Sequence, residues 1–405
     1  MTSRDAITTA AKGGPSLAVL VAMAALGPIA LNIFVPSMPG LQATMGVDYS
    51  VAQLTLSLYL AALAFAQLIV GPLSDRYGRR PVFIAGTVLF IFASLGCAAA
   101  VSIEQLILGR ILQAIGGCAG ITISRAVIRD RYERDEAASK MGYVTMAMIV
   151  GPMLAPALGG YLDELGGWRI SFYLVSAIGV GVLALVWMRL EETHRGDPGD
   201  AGFTRLFRIS AALIREPVFM GFSLGVAFST AIFFAFVAGA PFIVTKILGG
   251  TPSDYGNNFI TVSAGYMLGN FLAGRLSVRF SAAGLIFAGM GLLAVGLAAL
   301  SIFTSIGVVQ IWLLFAPMVL VAVSNGLIIP AGTASAISVR PDIAGSGAGI
   351  AGFLQIGVSA LATGAVSLFH DGTMAPTLTI MLVCGVISLL LMGGAEFAHH
   401  KTGGA

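Results

Sequence analysis

Residues 71–81 read GPLSDRYGRRP, and the eight residues before them, LAFAQLIV, carry no charge. Arginines hold a loop on the cytoplasmic side of a membrane, and glycine permits close packing and tight turns. An aspartate among them can neutralise an arginine or face the amino end of another helix. The stretch therefore predicts a cytoplasmic hinge between two membrane helices, with candidate residues Gly71, Asp75, Arg76, Gly78, Arg79 and Arg80.

The composition of the whole chain is that of an integral membrane protein. Of its 405 residues, 57% are hydrophobic and only 10% are charged, whereas soluble domains carry roughly 25% charged residues. The mean hydropathy is +0.93. The apolar stretches are long and unbroken, which indicates helices rather than a barrel, because a helix satisfies its own backbone polar groups in lipid. We therefore predict an all-α membrane protein.

Twelve apolar stretches are long enough to be spans, and a charged segment with Gly and Pro separates the sixth from the seventh. The predicted spans are about 17–36, 52–73, 82–102, 105–127, 138–162, 168–189, 217–244, 258–279, 282–304, 307–330, 344–369 and 374–397. We expect an N-terminal half of six helices at 1–190, a cytoplasmic linker at 191–216 and a C-terminal half of six helices at 217–405.

Lysine and arginine set the orientation. Almost all of the 22 basic residues fall on one side of the predicted spans, which places both termini in the cytoplasm. The net charge of +3 therefore reflects membrane topology and gives no sign of nucleic-acid binding. The polar first fifteen residues do not have the pattern of a secretory signal peptide. We expect a multi-pass membrane protein whose loop arginines contact anionic lipid.

The opening stretch has a second copy half a chain away. Residues 274–281, GRLSVRFS, match residues 71–78, GPLSDRYG, at glycine, leucine, serine and arginine. Six predicted spans separate the copies, so both face the same side and the halves are parallel repeats. Transporters built in this way place the substrate between the halves, near the middle of the membrane. Val278 stands where the first copy has Asp75, so an ionic latch would be one-sided.

Several motifs carry a family resemblance. GPLSDRYGRRP resembles the loop signature of the major facilitator superfamily. A narrower resemblance is to the bicyclomycin/chloramphenicol resistance family within it, Bcr/CflA. Its fourth-span motif resembles LGRILQAIGGCAGITISRAVIRDR (108–131). Two further segments resemble other spans of that family, namely GPMLAPALGGYL (151–162) and AGSGAGIAGFLQIG (344–357). The resemblance covers both halves and implies the major facilitator fold in a bacterial inner membrane. It also implies export of drug-like or amphipathic molecules in exchange for protons.

One position departs from the family pattern. Members carry an aspartate near the outer end of span one, in a sequence like Asp-x-Tyr-x-Pro. This chain reads LNIFVPSMP, with Asn32 and Phe34 at the corresponding positions. Asparagine does not titrate. Every aspartate and glutamate, and all four histidines, fall in predicted loops, tails or span ends, so the residues alone reveal no proton carrier in the membrane core.

Arg110 is the clearest candidate for a functional charge within a span. It follows Glu104 by six residues, so it lies about 9 Å below the outer surface at 1.5 Å per residue. Intramembrane charges are costly and mark function, although an arginine at this depth can also reach back to the head groups. The resemblance favours a functional role, because the fourth-span motif places an arginine here that organises polar groups or tunes a proton site.

The fifth span and the cavity supply the remaining candidates. In GPMLAPALGG the prolines bend the helix and the glycines permit tight packing that could seal the cavity; these residues are Gly151, Pro152, Pro156, Gly159 and Gly160. By resemblance, spans one, four, seven and ten line the cavity, with neighbours joining them. The candidate coupling and cavity residues are Arg110, Asn32, Gln113, Tyr59, Phe233, Phe234, Phe236, Asn325 and Gln355.

These residues predict an apolar, aromatic cavity with amides, which suits neutral or weakly cationic amphipathic molecules. The first interpretation is a monomeric exporter of drug-like or amphipathic small molecules by alternating access, with protons as the counter-substrate. The alternative is a facilitator or an exporter of a specific metabolite with no or different ion coupling. The sequence contains no nucleophile–base pair, metal spacing or phosphate loop, so we expect no enzyme activity, no cofactor and no metal.

Overall fold

The computed structural model describes residues 16–132, 134–194, 212–305 and 310–402, and all regular structure in those ranges is helical. The first half contains α1 (Leu17–Ile33), α2 (Met38–Met45), α3 (Tyr49–Tyr77), α4 (Arg79–Ala99), α5 (Ile103–Arg131), α6 (Arg134–Gly166) and α7 (Arg169–Arg189). The second half contains α8 (Pro217–Phe242), α9 (Pro252–Leu276), α10 (Ala282–Ser305), α11 (Ile311–Ser338), α12 (Ala344–Leu368) and α13 (Ala375–Thr402).

Two spans are interrupted by non-α turns. A 3-10 turn at Val35–Ser37 links α1 to α2, so that the two form one span with Pro36 and Pro39 at the break. After Pro241, α8 passes into a π turn at Ile243–Ile247. Proline removes a backbone donor and so favours such local departures from the α-helix.

Eleven spans in the described residues are long and apolar enough to cross a membrane. Helix α9 is also long enough, at 25 residues, but it is more polar than the others because it contains three asparagines, Asn257, Asn258 and Asn270. With α9 included, the twelve predicted spans correspond to helices, and the prediction of an all-α membrane fold is confirmed. The observed helices extend beyond several predicted spans; α5, for example, begins at Ile103 and ends at Arg131.

The two halves meet along two helix pairs, α3 with α12 and α6 with α9. Within the halves, small residues allow close crossings. A Cβ atom on Gly116 of α5 would lie 2.5 Å from the backbone oxygen of Gly86 in α4. One on Gly326 of α11 would lie 2.6 Å from backbone atoms of Gly269 in α9. Van der Waals packing of this kind drives helix association in lipid.

The repeated stretches both lie at the ends of corresponding helices, but their local structures differ. In the first copy α3 remains helical through Tyr77, and Gly78 then adopts φ 97°. In the second copy α9 ends at Leu276, the position equivalent to Leu73, and the chain continues in turns. The predicted linker at 191–216 lies mostly at 195–211, outside the described residues, so the domain boundaries stay a prediction.

Candidate functional site

A cavity of about 1120 Å³ lies between the two halves. Its wall is formed by α1, α3, α5 and α6 from the first half and by α8, α9, α11 and α12 from the second. At one end it reaches the last turns of α3 and α5, where Asp75 and Arg129 line it, and the start of α12, where Ser346 lines it. The cavity therefore opens at the arginine-rich end of the helices.

Five of the nine predicted coupling and cavity residues line this wall: Asn32, Phe233, Phe234, Asn325 and Gln355. The amides of the second half are held by neighbours on adjacent helices. Ser229 donates to Oδ1 of Asn325 at 2.5 Å, and Gln355 Nε2 donates to the Thr230 hydroxyl at 2.8 Å. These bonds fix the amides in the wall, where they can contact a bound molecule.

Asn32 lies in the wall but remains partly unsatisfied. Its Nδ2 donates to the backbone oxygen of Pro28, one turn earlier in α1, at 2.8 Å. Its Oδ1 has no hydrogen-bond partner among the described residues. The side chain is buried, with 4% exposed. A buried unsatisfied oxygen costs free energy, so Asn32 contributes an unused hydrogen-bond acceptor to this part of the wall.

The other four candidates do not line the cavity, which corrects their expected place in its wall, while a role in coupling stays a prediction: Arg110, Gln113, Tyr59 and Phe236. All four are fully buried. Phe236 packs edge-on against Phe315, with ring centroids 5.3 Å apart. The remaining three form one cluster within the first half. Spacing along a span indicates which residues share a helix face, but it does not indicate which face meets the cavity.

Arg110 lies in an aromatic cage. Its guanidinium carbon is 4.1 Å from the centre of the Tyr59 ring and 5.3 Å from that of Phe34. Nη1 donates to the backbone oxygen of Ala30 at 3.1 Å and to Oε1 of Gln113 at 2.6 Å. Because the side chain is fully buried, it does not reach the head groups, and that alternative is wrong for this conformation.

Within the described residues, the cluster around Arg110 has no carboxylate. Gln113 Nε2 donates to the Ser94 hydroxyl at 2.8 Å, and Tyr59 donates to the backbone oxygen of Gly27 at 3.2 Å. The Nε and Nη2 atoms of Arg110 find no hydrogen-bond partner in the same part of the chain. Cation–π contacts offset part of the cost of burying this charge. The cluster thus holds a cation with unused donors behind the cavity wall.

The hinge stretch is organised around Arg79. Its side chain is 4% exposed and contacts Asp75 at 2.5 Å and Asp130, near the end of α5, at 2.9 Å. Nη1 also donates to the Ser74 hydroxyl at 2.6 Å. Three helices, α3, α4 and α5, are therefore joined at one guanidinium. Gly71, Asp75 and Arg79 line the cavity mouth.

The other predicted hinge residues lie outside the cavity. Arg76 is exposed and stacks on Tyr77, with its guanidinium carbon 5.3 Å from the ring centre. Arg80 Nη2 donates to the backbone oxygen of Trp187, near the end of α7, at 3.0 Å. Gly78 has φ 97°, a backbone conformation that favours glycine, and a Cβ atom there would lie 2.7 Å from Oε2 of Glu192.

Glu192 is a structural partner of the hinge that sequence reasoning missed. Its Oε1 accepts from the backbone N–H groups of Arg79, Thr193 and His194, at 2.9, 2.9 and 3.1 Å. Its Oε2 accepts from the N–H of Arg80 at 3.1 Å. The carboxylate thereby caps the amino end of α4, where negative charge is stabilising. Its position directly after α7 is the available signal, but sequence alone does not show that α7 ends beside α4.

The end of the cavity opposite the hinge is closed by the α6–α9 crossing. A Cβ atom on Gly160 would lie 2.5 Å from the backbone oxygen of Pro252, and one on Gly256 would lie 2.5 Å from that of Pro156. Nearby, Asn257 Nδ2 donates to the Tyr161 hydroxyl at 3.0 Å. The predicted fifth-span motif therefore lies at a contact between the two halves.

The rest of that motif packs against α1. A methyl group on Gly159 would overlap the backbone oxygen of Ile33, and one on Gly151 would lie 3.0 Å from a side-chain carbon of Ile29. Pro152 lines the cavity. The motif thus seats α6 against α1 on one face and against α9 on another.

A second closure joins α3 to the second half at the same end. The Tyr49 hydroxyl and Gln53 Nε2 both donate to the backbone oxygen of Ala238, at 3.1 and 2.9 Å. The His370 ring packs on Tyr49 and on Phe242, with centroids 5.2 and 4.6 Å away. Burial lowers the pKa of His370, and the nearby charge of Asp371 opposes that shift.

The sequence profile of the Major Facilitator Superfamily matches residues 20–362. The chain belongs to this superfamily. It is 29% identical to Multidrug resistance protein D of Escherichia coli (strain K12), with 95% of this chain and 97% of that protein covered. It is 25% identical to a Bicyclomycin resistance protein homolog of Haemophilus influenzae, with 90% and 92% covered. These relatives confirm the family resemblance.

Solved structures agree on the fold. A D-xylose-proton symporter superposes with a TM-score of 0.72 at 17% identity, covering 93% of this chain and 96% of that one. At this identity the match supports the fold and nothing finer. The chain is therefore a multi-pass membrane protein of a transporter superfamily, whose members bind small molecules.

Proposed function

We propose that this Major Facilitator Superfamily protein exports drug-like or amphipathic small molecules across a bacterial inner membrane by alternating access. In this proposal it acts as a monomer, has both termini in the cytoplasm, contacts lipid through its loop arginines and has no enzymatic activity. The observation that carries the proposal is the cavity of about 1120 Å³ between the halves. Sites for drug-sized ligands have volumes of roughly 300–1000 Å³.

The arrangement of contacts around the cavity supports alternating access. The α6–α9 and α3–α8 contacts close one end, while the hinge end is open. Transporters with this architecture move one half against the other around a central site. With the arginine-rich end in the cytoplasm, this conformation faces inward.

Two energy sources for export are considered: exchange for protons, and export without proton exchange. Proton antiport is what the family resemblance implies. Export without proton exchange is favoured by a specific observation: within the described residues, Asp75 is the only carboxylate lining the cavity, and it is paired with Arg79 at 2.5 Å. The position where the family carries an aspartate holds Asn32.

The proposal is tested by drug accumulation in efflux-deficient bacteria that express the full chain. The panel contains chloramphenicol, an aromatic acid and a cationic dye, each with and without a protonophore. We expect lower accumulation of at least one compound than in cells with an empty vector. Unchanged accumulation of every compound, with the protein shown to be in the membrane, would refute export of amphipathic molecules.

A further inference from the structure

The cavity wall contains more positively charged side chains than negatively charged ones. Among the described residues, four line it: Asp75, Arg79, Arg125 and Arg129. Arg79 is neutralised, because it contacts Asp75 at 2.5 Å and Asp130 at 2.9 Å. Neither Arg125 nor Arg129 forms an ion pair with a described residue. The wall therefore carries a surplus of positive charge, where the sequence predicts little fixed charge.

Arg125 is the more deeply placed of these two cations. It lies six residues before the end of α5, about 9 Å along the helix. Its Nη2 atom lies 3.8 Å from the sulfur of Met148 on α6, and a thioether is a weak acceptor. Gln67 and Thr122 line the same cavity. Its side chain faces the cavity rather than the lipid head groups. An arginine that served only to set the orientation of the protein in the membrane would have no reason to face the cavity.

The amino end of α12 adds to the positive potential. Ala344, Gly345 and Ser346 line the cavity, and no side chain from the described residues caps this helix. A Cβ atom on Gly345 or Gly349 would meet no described atom within 4 Å, so the backbone here is open. The first N–H groups of a helix lack intrahelical acceptors and favour negative charge. In a cleft with low-dielectric walls, such potentials concentrate counter-ions.

The deeper part of the wall suits an apolar body. Phe233 and Phe234 pack edge-on at 5.4 Å, and Phe233 also packs on Phe259 at 5.7 Å. All three line the cavity. The cavity thus presents an aromatic surface in its depth and unpaired cations toward its open end.

We propose that the cavity selects amphipathic organic anions, with the anionic head held by Arg125 and the apolar body against Phe233 and Phe234. Arg129 and the amino end of α12 supply further attraction. This inference rests on the proposed function and names its substrate class. The head group is a carboxylate or a sulfonate of a soluble molecule; an anionic lipid offers similar chemistry and is distinguished below.

The test compares three probes with one carbon skeleton: naphthylacetate, naphthylacetamide and naphthylethylamine. Binding is measured with the purified full chain in neutral detergent. We expect the anion to bind roughly tenfold more tightly than the amide, a difference of about 1.4 kcal/mol, and added salt to reduce that difference. Arg125→Gln should remove the preference for the anion over the amide, since only the anion gains from the positive charge.

The matched control is Arg189→Gln, which removes an exposed arginine at the end of α7, outside the cavity. It should leave all three affinities unchanged. If the amide or the amine binds as tightly as the anion, charge selection is overturned while transport of amphipathic molecules stands. If folded protein binds none of the three, the anion site is overturned, while the accumulation assay with chloramphenicol and the cationic dye decides separately on export. Displacement of naphthylacetate by solubilised phosphatidylglycerol at equal concentration would assign the site to lipid and overturn the soluble anion.

Discussion

At the scale of single residues, Arg110 poses the sharpest energetic problem. It is a fully buried cation whose Nε and Nη2 donors have no acceptor among the described residues. A buried charge without a counter-ion is costly, and aromatic rings compensate only in part. Structures retain such a cost at functional sites. We infer that the free donors find acceptors in another conformation of the cycle.

We therefore expect Arg110→Met to abolish transport, with at least a tenfold loss of rate, while the protein still inserts. Methionine fills a similar volume and removes the uncompensated charge, which offsets the loss of the bond to Gln113. The thermal midpoint of the purified protein should consequently change little. Transport and melting are both measured, with Arg189→Met as the control. A normal rate in the inserted Arg110→Met protein would contradict a functional role.

At the scale of elements, the junction of α3 and α4 depends on a residue from outside both helices. Glu192 accepts four backbone hydrogen bonds, two of them from the first turn of α4. Its neighbour Glu191 makes a long contact to Arg131, at 3.8 Å, and is exposed. Weak surface pairs of that kind contribute little. Glu191 is therefore a suitable control position for a substitution of Glu192.

Glu192→Gln should destabilise the protein by about 1 kcal/mol, because the amide loses one acceptor oxygen and the negative charge at the helix end. Glu191→Gln should cost less than about 0.5 kcal/mol. Thermal unfolding of both variants in one detergent gives the comparison. Equal melting temperatures for the two variants would show that the cap contributes no measurable stability.

At the same scale, the α6–α9 crossing is expected to control which conformation the protein adopts. Gly256→Ala places a methyl group 2.5 Å from the backbone oxygen of Pro156, and such overpacking costs about 1–3 kcal/mol. Because this contact closes the far end of the cavity, the change should favour the opposite conformation. Gly181→Ala is the control, since a Cβ atom there would meet no described atom within 4 Å.

The measurement is the labelling rate of Ile329→Cys, a cavity position, by a membrane-impermeant maleimide added at the cytoplasmic side. The three native cysteines are buried, so they add little background. We expect labelling to slow at least twofold with Gly256→Ala and to stay constant with Gly181→Ala. An unchanged rate with Gly256→Ala would mean that the crossing does not control access.

At the scale of the whole molecule, the sequence is informative where membrane physics acts on each segment separately. The spans, the parallel repeat and the hinge motif all follow from local composition and spacing. The cavity wall does not, because it depends on how helices rotate against partners far away in the chain. Thus Tyr59 and Gln113, which are candidates from the sequence, lie behind the wall. Arg125, which is not among those candidates, lines the cavity.

The charge of the wall also bears on the energy source. When an organic anion leaves an inside-negative cell without a counter-ion, its export is favoured by about 2.3 kcal/mol per charge for each 100 mV of membrane potential. If the cavity selects anions and its described wall offers no free carboxylate, no proton is needed for export. We therefore expect naphthylacetate flux in proteoliposomes to follow a potassium–valinomycin potential and to be unaffected when nigericin collapses a pH gradient at constant potential.

Asn32→Asp supplies the contrast in the same assay. It places a titratable group in the wall, where Asn32 Oδ1 already lacks a described partner, so part of the flux should come to depend on the pH gradient. A wild-type flux that follows the pH gradient and ignores the potential would instead establish proton antiport and require a carrier other than residue 32. The single carboxylate of the described wall, Asp75, would then be the first position to change.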